Sequence, residues 1–317
     1  MKRTLAVLMD AIAEIHPYKD STLAMLLEAQ RRGYELFYTL QSGLAIRGGE
    51  PWAKLAPLRV RDDNDDWFTL GDAAWRELST VDVILARKDP PFDDQFLYDT
   101  MVLELAEMKG ALVVNRPQGL RDANEKLFSL HFPQCTPPTI IARDAAEIRR
   151  FAAEHGEVVL KPLDGMGGRS IFRSRDHDPN LNVIIETLSE NGRAFVAVQR
   201  YIPEIVSGDK RILVIDGEPV PYALARVPQG DDFRGNLARG GKGVGQPLSD
   251  RDRWIANEVG PELKRRGMLF VGLDVIGDWL TEINVTSPTC IRELDEAFGL
   301  NIAGQLFDVI ETKLKSK

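Results

Sequence analysis

The chain has 317 residues, which is more than a single hydrophobic core usually serves, so two or three packed units are expected. It carries 40 Lys and Arg against 48 Asp and Glu, and this net charge of −8 is opposite in sign to that of most nucleic-acid-binding proteins. Cysteine occurs only at Cys135 and Cys290, which excludes a disulfide framework and a cysteine zinc site and fits a reducing cytoplasm. No apolar run approaches the roughly 20 residues of a membrane span, and the first residues lack a signal-peptide pattern.

The first 120 residues alternate between strand and helix patterns. Residues 5–9 and 35–40 predict strands, and the leucine spacing of residues 21–32 predicts a helix that ends at Gly33. This order is typical of a parallel sheet with a right-handed crossover. Residues 41–80 are polar and predict an irregular connection that carries some strand.

A strand at 81–86, a helix at 93–109 and a strand at 112–115 complete the first unit. Arg87 follows directly after the first of these strands, at the carboxyl edge where open α/β sheets bind ligands. The pattern therefore predicts an N-terminal α/β domain with Arg87 at its ligand-binding edge.

The rest of the chain has a different order of elements. Asp216-Gly217 is a strong hairpin signal. Residues 230–245 are rich in glycine and predict a mobile loop rather than packed structure. The other predicted strands and helices lie at 139–142, 144–155, 180–190, 195–199, 210–215, 219–225, 251–266, 269–276, 280–285 and 301–315.

Residues 158–171 have the pattern of a strand, a flexible loop and a return strand. Lys161 ends the first strand, and the loop Asp164-Gly165-Met166-Gly167-Gly168 follows. Glycine permits the positive φ and the close approach that a backbone wrapped around polyphosphate requires, and its bare amides then face the anion. For the motif taken alone, a hairpin with a glycine-rich turn is an equally good interpretation.

Near the C-terminus, three side chains carry the hard oxygen atoms that Mg²⁺ prefers. Glu282 and Asn284 are two apart on a predicted strand and so share a face. Asp274 lies opposite Glu282 if a three-residue turn, 277–279, joins the strands, whereas a two-residue turn would pair it with Thr281. A solvated hairpin face is the alternative, but the neighbouring residues are apolar, and buried acids need a partner or a metal.

Basic residues in the middle of the chain are candidates for binding phosphate. Lys126 and Lys161 come from different elements, as a clamp on two phosphates requires, although a surface role is the simpler interpretation of Lys126 alone. Strand alternation places Asp209 and Arg211 on one face and Lys210 on the other.

Three arginines, Arg211, Arg226 and Arg234, are candidates to neutralise an anionic substrate and a transferred phosphoryl group. A solvated loop is the alternative for Arg226 and Arg234. Residues 199–202 end a strand, and their backbone edge suits the main-chain hydrogen bonds of an adenine.

The segment 287–292 directly follows the strand of the predicted metal site. Its hydroxyls, Ser287 and Thr289, and its guanidinium, Arg292, are suited to binding a small carboxylate. A plain turn at the entry of a helix is the alternative interpretation.

The order of these motifs resembles that of the ATP-grasp carboxylate–amine ligases. The motifs are Lys126, Lys161-Pro-Leu-Asp-Gly-Met-Gly-Gly, Asp209-Lys-Arg, the glycine-rich loop, Asp274 and Thr281-Glu-Ile-Asn-Val-Thr-Ser-Pro-Thr. Further segments resemble the bacterial members that join γ-glutamylcysteine to glycine: Arg87-Lys-Asp-Pro-Pro-Phe-Asp, Asn115-Arg-Pro-Gln, Leu120-Arg-Asp and Gly235-Asn-Leu-Ala. The resemblance runs from near Asp10 to near the C-terminus. One departure is Asp10-Ala-Ile, where a proline is expected after the aspartate.

The resemblance implies an α/β chain with α+β subdomains, namely an ATP-grasp fold preceded by a parallel-sheet α/β (pre-ATP-grasp) domain. The N-terminal substrate domain would span residues 1–122 and the ATP-grasp domain residues 123–317. Residues 123–202 would form a small lid subdomain with the glycine-rich loop. Residues 203–317 would form a subdomain with the metal site and a mobile loop, 227–243.

The resemblance also implies residue roles. Nucleotide contacts are implied for Lys126, Lys161, Asp164, Gly165, Met166, Gly167, Gly168, Gln199, Arg200, Tyr201, Ile202 and, at the ribose, Asp209. Mg²⁺ or Mn²⁺ is implied at Asp274, Glu282 and Asn284. The peptide substrate and the acyl phosphate are implied near Arg211, Arg226 and Arg234, with Arg87, Ser287, Thr289 and Arg292 as further substrate candidates.

The implied reaction joins γ-glutamylcysteine to glycine and converts ATP to ADP and phosphate through an acyl phosphate. The loop 227–243 would close as a lid that keeps water from this intermediate. The implied enzyme is cytoplasmic, binds neither nucleic acid nor membranes, and forms a homo-oligomer, either a tetramer or a dimer.

Three other functions are compatible with parts of this pattern. A sister ligase would join another carboxylate to another amine, but the segments 87–93 and 287–292 would then have to differ from those of the family. A dinucleotide-dependent oxidoreductase is discounted because no Gly-x-Gly-x-x-Gly follows Met9. A non-catalytic nucleotide-binding regulator is disfavoured by the complete set of oxygen ligands.

Overall fold

A computed structural model of the chain describes residues 2–165, 167–230, 235 and 242–316. The strands of this part of the chain form three sheets, one built from N-terminal residues and two from the rest. None of its helices combines the length and the apolar character needed to cross a bilayer.

The N-terminal sheet combines a parallel half and an antiparallel half. Its elements are β1 (Thr4–Met9), α1 (Ser21–Arg31), β2 (Glu35–Thr39), β3 (Leu44–Arg47), β4 (Glu50–Val60), β5 (Phe68–Leu70), β6 (Ala74–Glu77), β7 (Val83–Arg87), α2 (Asp94–Met108), β8 (Leu112–Val114) and α3 (Pro117–Asp122). The strand order is β3-β4-β2-β1-β7-β8, and β5 and β6 pair with β4. β1 is parallel to β2 and β7, and β7 is parallel to β8, which confirms the predicted parallel sheet.

The connection predicted for residues 41–80 carries strand, as expected, but it is more regular than predicted, because β3, β4, β5 and β6 all lie in it. β4 runs antiparallel to β2 and also pairs with β3, β5 and β6. This strand is not evident from the sequence because it contains Pro51 and Pro57, and proline cannot donate a hydrogen bond to a neighbouring strand. The burial of alternate residues over much of β4 shows that its packing overrides this local signal.

The second sheet is wholly antiparallel. It contains β9 (Thr139–Ala142), α4 (Ala145–His155), β10 (Glu157–Pro162), β11 (Phe172–Arg175), α5 (Leu181–Leu188) and β12 (Val196–Arg200). The strand order is β11-β10-β12-β9. α4 and α5 cover one face of this sheet with a small apolar cluster of its own, which includes Ile148, Ile185 and Val198.

The third sheet carries most of the charged residues singled out in the sequence. Its elements are β13 (Asp209–Ile215), β14 (Glu218–Val227), β15 (Lys242–Pro247), α6 (Asp250–Arg265), β16 (Phe270–Ile276), β17 (Trp279–Asn284), α7 (Ile291–Phe298) and α8 (Ile302–Lys315). The strand order is β15-β14-β13-β16-β17. Asp216 and Gly217 both have positive φ, 49° and 91°, in the two-residue turn that the sequence predicts between β13 and β14.

The predicted glycine-rich loop extends too far. Residues 242–245 belong to β15, which pairs with β14, while 231–234 and 236–241 lie outside the described residues. A Cβ on Gly245 would come within 2.6 Å of the Phe298 ring, so this glycine makes room for α7. Composition alone does not distinguish a glycine that permits close packing from one that permits movement. The sequence analysis also predicts no helix at the position of α7.

The first and third sheets share their hydrophobic cores. One apolar cluster joins Ala6 and Ile84 of the N-terminal sheet to Ile212 and Leu273 of the third sheet. The second sheet packs on a separate hydrophobic core. The concave space between the three sheets can hold a ligand.

Candidate active site

A cavity of about 540 Å³ opens where the three sheets meet. One wall comes from residues 10–20 and 89–90 of the N-terminal part, and a second from the loop after β10 and the end of β12. The third wall comes from β13, β14, β16, β17 and the segment 286–293. Most of the residues predicted from the sequence to act together line this one cavity.

Lys126 lies between α3 and β9, and its side chain is buried. Its Nζ donates to Glu282 Oε1 at 2.9 Å and to Gly165 O at 2.8 Å. Burial disfavours its charge, but the Glu282 carboxylate outweighs that effect and raises the pKa of Lys126. Lys126 thus links β17 to the loop 164–168 and is not a surface lysine.

Lys161 is buried at the end of β10 and is poorly neutralised. Its Nζ has one long hydrogen bond, to Gln199 Oε1 at 3.5 Å, and no ion pair within the described residues. Burial lowers the pKa of Lys161, since the nearest carboxylates do not fully offset the loss of water. A buried cation in this state is suited to receive an anion from a ligand.

The loop after Lys161 has the backbone that its glycines predict. Gly167 and Gly168 have φ values of 61° and 74°, and a Cβ on Gly165 would come within 2.9 Å of Pro162. Asp164 belongs to the same turn. Met166, which the sequence also assigns to the loop, lies outside the described residues.

Asp209 and Arg226 face each other across β13 and β14. Arg226 Nη2 is 2.5 Å from Asp209 Oδ2 and 2.8 Å from Asp274 Oδ2. The other oxygen, Asp209 Oδ1, is buried and has no hydrogen-bond partner within the described residues. Burial, reinforced by the charge of Asp274, raises the pKa of Asp209 to about 6.

Arg211 makes a two-point contact with Asp274. Its Nε is 2.6 Å from Oδ1 and its Nη2 is 3.1 Å from Oδ2. Burial would raise the pKa of Asp274, but Arg211 and Arg226 outweigh it and lower that pKa. Lys210 points to the other face of β13 and pairs with Asp252, which confirms the alternation predicted for this strand.

The pairing of Asp274 with Glu282 is confirmed, but the turn predicted to produce it is wrong. Ile276 pairs with Trp279, so the hairpin has a two-residue turn, and Val275 pairs with Leu280. The register then shifts, because Thr281 is an extra residue in a β-bulge, and Asp274 comes opposite Glu282. Thr281 Oγ1 donates to Asp274 O at 3.1 Å, which stabilises the bulge.

The three predicted metal ligands line the same wall of the cavity. Asn284 Nδ2 donates to Gly272 O at 3.2 Å, so its Oδ1 points away from that contact. Both oxygens of Asp274 are held by arginines, and Oε1 of Glu282 by Lys126. The described residues contain no group of three His, Cys, Asp or Glu that would hold a metal unaided. The oxygen donors suit Mg²⁺ in type, with the remaining ligands to be supplied by phosphate.

The predicted adenine edge also reaches the cavity. Gln199, Arg200, Tyr201 and Ile202 all line it, together with the apolar Ile205 and Ile276. The Arg200 guanidinium lies 5.5 Å from the Trp279 ring centroid, so the end of β12 contacts the turn of the β16–β17 hairpin.

The substrate candidates are distributed unevenly. Ser287 and Thr289 line the cavity. Arg87 is buried beside it, where its Nη2 donates to Pro288 O at 2.8 Å and its Nε donates to Thr22 Oγ1 at 3.0 Å. Arg292 is not brought to this cavity but pairs with Asp62 beside a second pocket. Arg234 lies outside the described residues.

Comparison with known proteins assigns the chain to a family. The family model described as prokaryotic glutathione synthetase, N-terminal domain, matches residues 3–121, and the model for the ATP-grasp domain of the same family matches residues 125–299. The chain belongs to the prokaryotic glutathione synthetase family. The predicted family of ATP-dependent ligases and the predicted ATP-grasp fold are thereby confirmed.

Relatives named glutathione synthetase match over the full length. That of Xanthomonas axonopodis pv. citri is 63% identical over 98% of this chain and 98% of its own length. That of Pseudomonas aeruginosa is 59% identical over 100% of both chains. Among solved structures, the D-cycloserine synthetase DcsG has a TM-score of 0.69 at 17% identity, covering 98% of this chain and 99% of its own. The ATP-grasp ligase PsnB has a TM-score of 0.62 at 18% identity, covering 98% and 97%. At such identities these structures show the fold alone.

One residue of the cavity in this glutathione synthetase family member, Glu125, was not predicted from the sequence. Glu125 Oε1 accepts hydrogen bonds from Val285 N at 3.0 Å, Thr286 N at 3.2 Å and Thr286 Oγ1 at 3.0 Å. Its carbonyl oxygen accepts from Ile283 N at 2.9 Å. Glu125 therefore holds the end of β17, while its neighbour Lys126 holds Glu282. Its position next to Lys126 was a signal that could have drawn attention to it.

Proposed function

We propose that the chain joins γ-glutamylcysteine to glycine, with ATP converted to ADP and phosphate, to give glutathione. The observation that carries this proposal is the meeting in one cavity of Lys126 and Lys161 with Asp274, Glu282 and Asn284. Two lysines from separate elements suit a triphosphate, and the oxygen donors opposite them suit its metal ion. The full-length similarity to proteins named glutathione synthetase supports this substrate pair over another.

The nucleotide is proposed to lie between the second and third sheets. Among the described residues Lys161 has a single weak partner, so the phosphates would supply the negative charge that it lacks. Lys126 already pairs with Glu282 and would place a second positive charge beside the phosphates. The backbone of Gly165, Gly167 and Gly168 would cover them. Asp209 Oδ1, which has no partner in the described part of the chain, would accept a hydrogen bond from a ribose hydroxyl.

Asp274, Glu282 and Asn284 would hold Mg²⁺ or Mn²⁺. When bound, the ion would supply positive charge to the phosphate oxygens. For this chain, the consequence is that Asp274 is shared: Arg211 and Arg226 already hold its two oxygens and fix its orientation.

The two arginines are proposed to position the reacting groups. The cysteinyl carboxylate of γ-glutamylcysteine forms an O–P bond to the γ-phosphorus while the bond from that phosphorus to ADP breaks. The neutral amine of glycine then forms a C–N bond to the acyl carbon, phosphate leaves with the C–O electron pair, and one proton is released. Arg211 and Arg226 would neutralise the charges that gather in these steps, which is the main task of a protein in phosphoryl transfer.

A coupled assay of ADP release tests the proposal. The purified chain with ATP and Mg²⁺ should release ADP only when both γ-glutamylcysteine and glycine are present, and the product should have the mass of glutathione. ADP release at the same rate with glycine omitted would contradict the proposal. Activity with a different carboxylate or amine, and none with this pair, would instead indicate a sister ligase.

A further inference from the structure

The cavity has two electrically different ends. The end described above carries Lys126, Lys161, Arg211 and Arg226. The end formed by residues 10–20, 89–90 and α7 has more acids than bases: Asp10, Glu14, Asp20, Asp89 and Glu293 line it, together with His16 and Lys19. A ligand that spans the cavity from one end to the other would thus pass from cationic to acidic surroundings.

Four of these acids are hydrogen-bonded or exposed to water in the described structure. Asp10 lies 3.0 Å from Lys88 Nζ and accepts from Asp89 N at 3.0 Å. Asp20 accepts from Leu23 N at 2.6 Å as the N-cap of α1. Glu14 and Asp89 are exposed to water.

Glu293 differs from the other four acids. Its Oε2 is buried and has no hydrogen-bond partner within the described residues. It also has no lysine or arginine within ion-pair distance in this part of the chain. A buried carboxylate oxygen without a donor destabilises the folded chain, so a cationic donor from a ligand would complete the site.

The backbone around Glu293 is firmly held. Ile291 N, at the start of α7, donates to Ser21 Oγ at 3.1 Å, which ties α7 to α1. Arg292 pairs with Asp62 of the N-terminal part. A carboxylate on a helix fixed at two points is suited to recognition, because little conformational freedom is lost when a ligand binds.

On the basis of the proposed function, we propose that Glu293 binds the α-ammonium group of the γ-glutamyl residue. The reacting cysteinyl carboxylate belongs near Arg211 and Arg226, at the cationic end of the cavity. The α-ammonium lies at the opposite end of the same molecule, which places it toward the acidic end. Glu293 is the acid there with an unused, desolvated oxygen, so it would select substrates that carry this amine.

The test compares γ-glutamylcysteine with N-glutarylcysteine, which lacks only the α-amino group. The wild type should prefer the amine by about 10- to 100-fold in kcat/KM, as expected for one charge-assisted hydrogen bond. Glu293→Gln should reduce this preference to a few-fold by raising the KM for γ-glutamylcysteine, with the KM for ATP unchanged. The control is Glu296→Gln, an exposed residue of the same helix, which should keep the wild-type preference.

Several outcomes would overturn the proposal. An unchanged preference in Glu293→Gln would do so, and so would a raised KM for glycine in place of γ-glutamylcysteine. If that variant does not fold, the wild type still decides, because equal use of both substrates excludes recognition of the amine. A wild type that uses neither substrate refutes the proposed function. A wild type that uses γ-glutamylcysteine while Glu293→Gln keeps the full preference refutes only the role of Glu293.

Discussion

At the scale of single residues, the site is governed by buried charges that are incompletely paired. Among the residues that the structure describes, Lys161 has one weak contact and Asp209 has one oxygen without a partner. Buried groups without partners lower the free energy of unfolding of the ligand-free protein. A ligand that pairs with them would raise it again. The ligand-binding role of each group can therefore be tested by removing its charge.

Replacing Lys161 with methionine should raise the KM for ATP by about tenfold or more, since a charge-assisted contact to phosphate is worth roughly 1.5–3 kcal/mol. Stability should rise or stay level, because a poorly neutralised buried cation disappears. Steady-state kinetics with varied ATP and a urea melt would measure both. Lys54→Met, at an exposed position of β4, is the matched control. An unchanged KM for ATP in Lys161→Met would exclude the phosphate role.

Asp209 should leave a pH signature in stability. Its pKa is about 6 in the folded chain against a usual 3.8, so between these values the folded state holds a proton that the unfolded state has released. The free energy of unfolding therefore falls as pH rises through this window. Between pH 5 and 7, wild type should lose on the order of 1 kcal/mol more than Asp209→Asn. Urea melts of both proteins at the two pH values check this, and parallel losses would contradict it.

At the scale of elements, the site depends on how segments are clamped to one another. A β-bulge at Thr281 brings Glu282 opposite Asp274, and Glu125 holds the end of β17 that leads to Ser287. The bulge joins neighbouring strands, whereas the Glu125 contacts join parts of the chain about 160 residues apart, so the loop after β17 is held partly by a carboxylate from outside its own sheet.

Glu125→Ala should lower kcat and raise the KM for γ-glutamylcysteine, because three donors at residues 285–286 lose their acceptor. Glu125→Gln keeps an acceptor oxygen and should recover most of the activity, which a nonspecific loss of fold would not permit. Kinetics of both variants, beside the exposed Glu186→Ala on α5, would measure the effect. Equal defects in the Ala and Gln variants would show that the charge, and not the clamp, is required.

At the scale of the whole molecule, the arrangement of cores decides what can move. The N-terminal and third sheets share a core, whereas the second sheet has its own small cluster. The cavity lies between them, so a nucleotide would bridge two units of unequal stability. The predicted homo-oligomer is a separate question, which light scattering of the purified chain would answer.

Hydrogen exchange should reveal this difference. Without ligand, amides of β9 to β12 should exchange faster than those of β13, β16 and β17, since fewer apolar contacts hold them. A non-hydrolysable ATP analogue with Mg²⁺ at about 100 times its Kd should slow exchange in the second sheet by up to about 100-fold. Strands β3 to β6, far from the cavity, serve as the internal control. No change in the second sheet would exclude a nucleotide bridge.

The sequence by itself determined the local pieces. Alternation showed that Lys210 and Arg211 face opposite ways, glycine marked the turn at Asp216-Gly217, and the motif order indicated the ligase family. The first two depend on residues a few positions apart, where backbone geometry sets the outcome, and the third depends on the order of short motifs along the chain.

Tertiary structure alone decided how those pieces fit together. The bulge at Thr281 depends on how β17 pairs with β16, and the strand β15 and the clamp at Glu125 depend on partners distant in the chain, Phe298 and Thr286. That one oxygen of Glu293 has no partner among the described residues also follows only from the packing of α7. Burial and pairing across the fold, and not local preference, determine which of the many charged residues are left for a ligand.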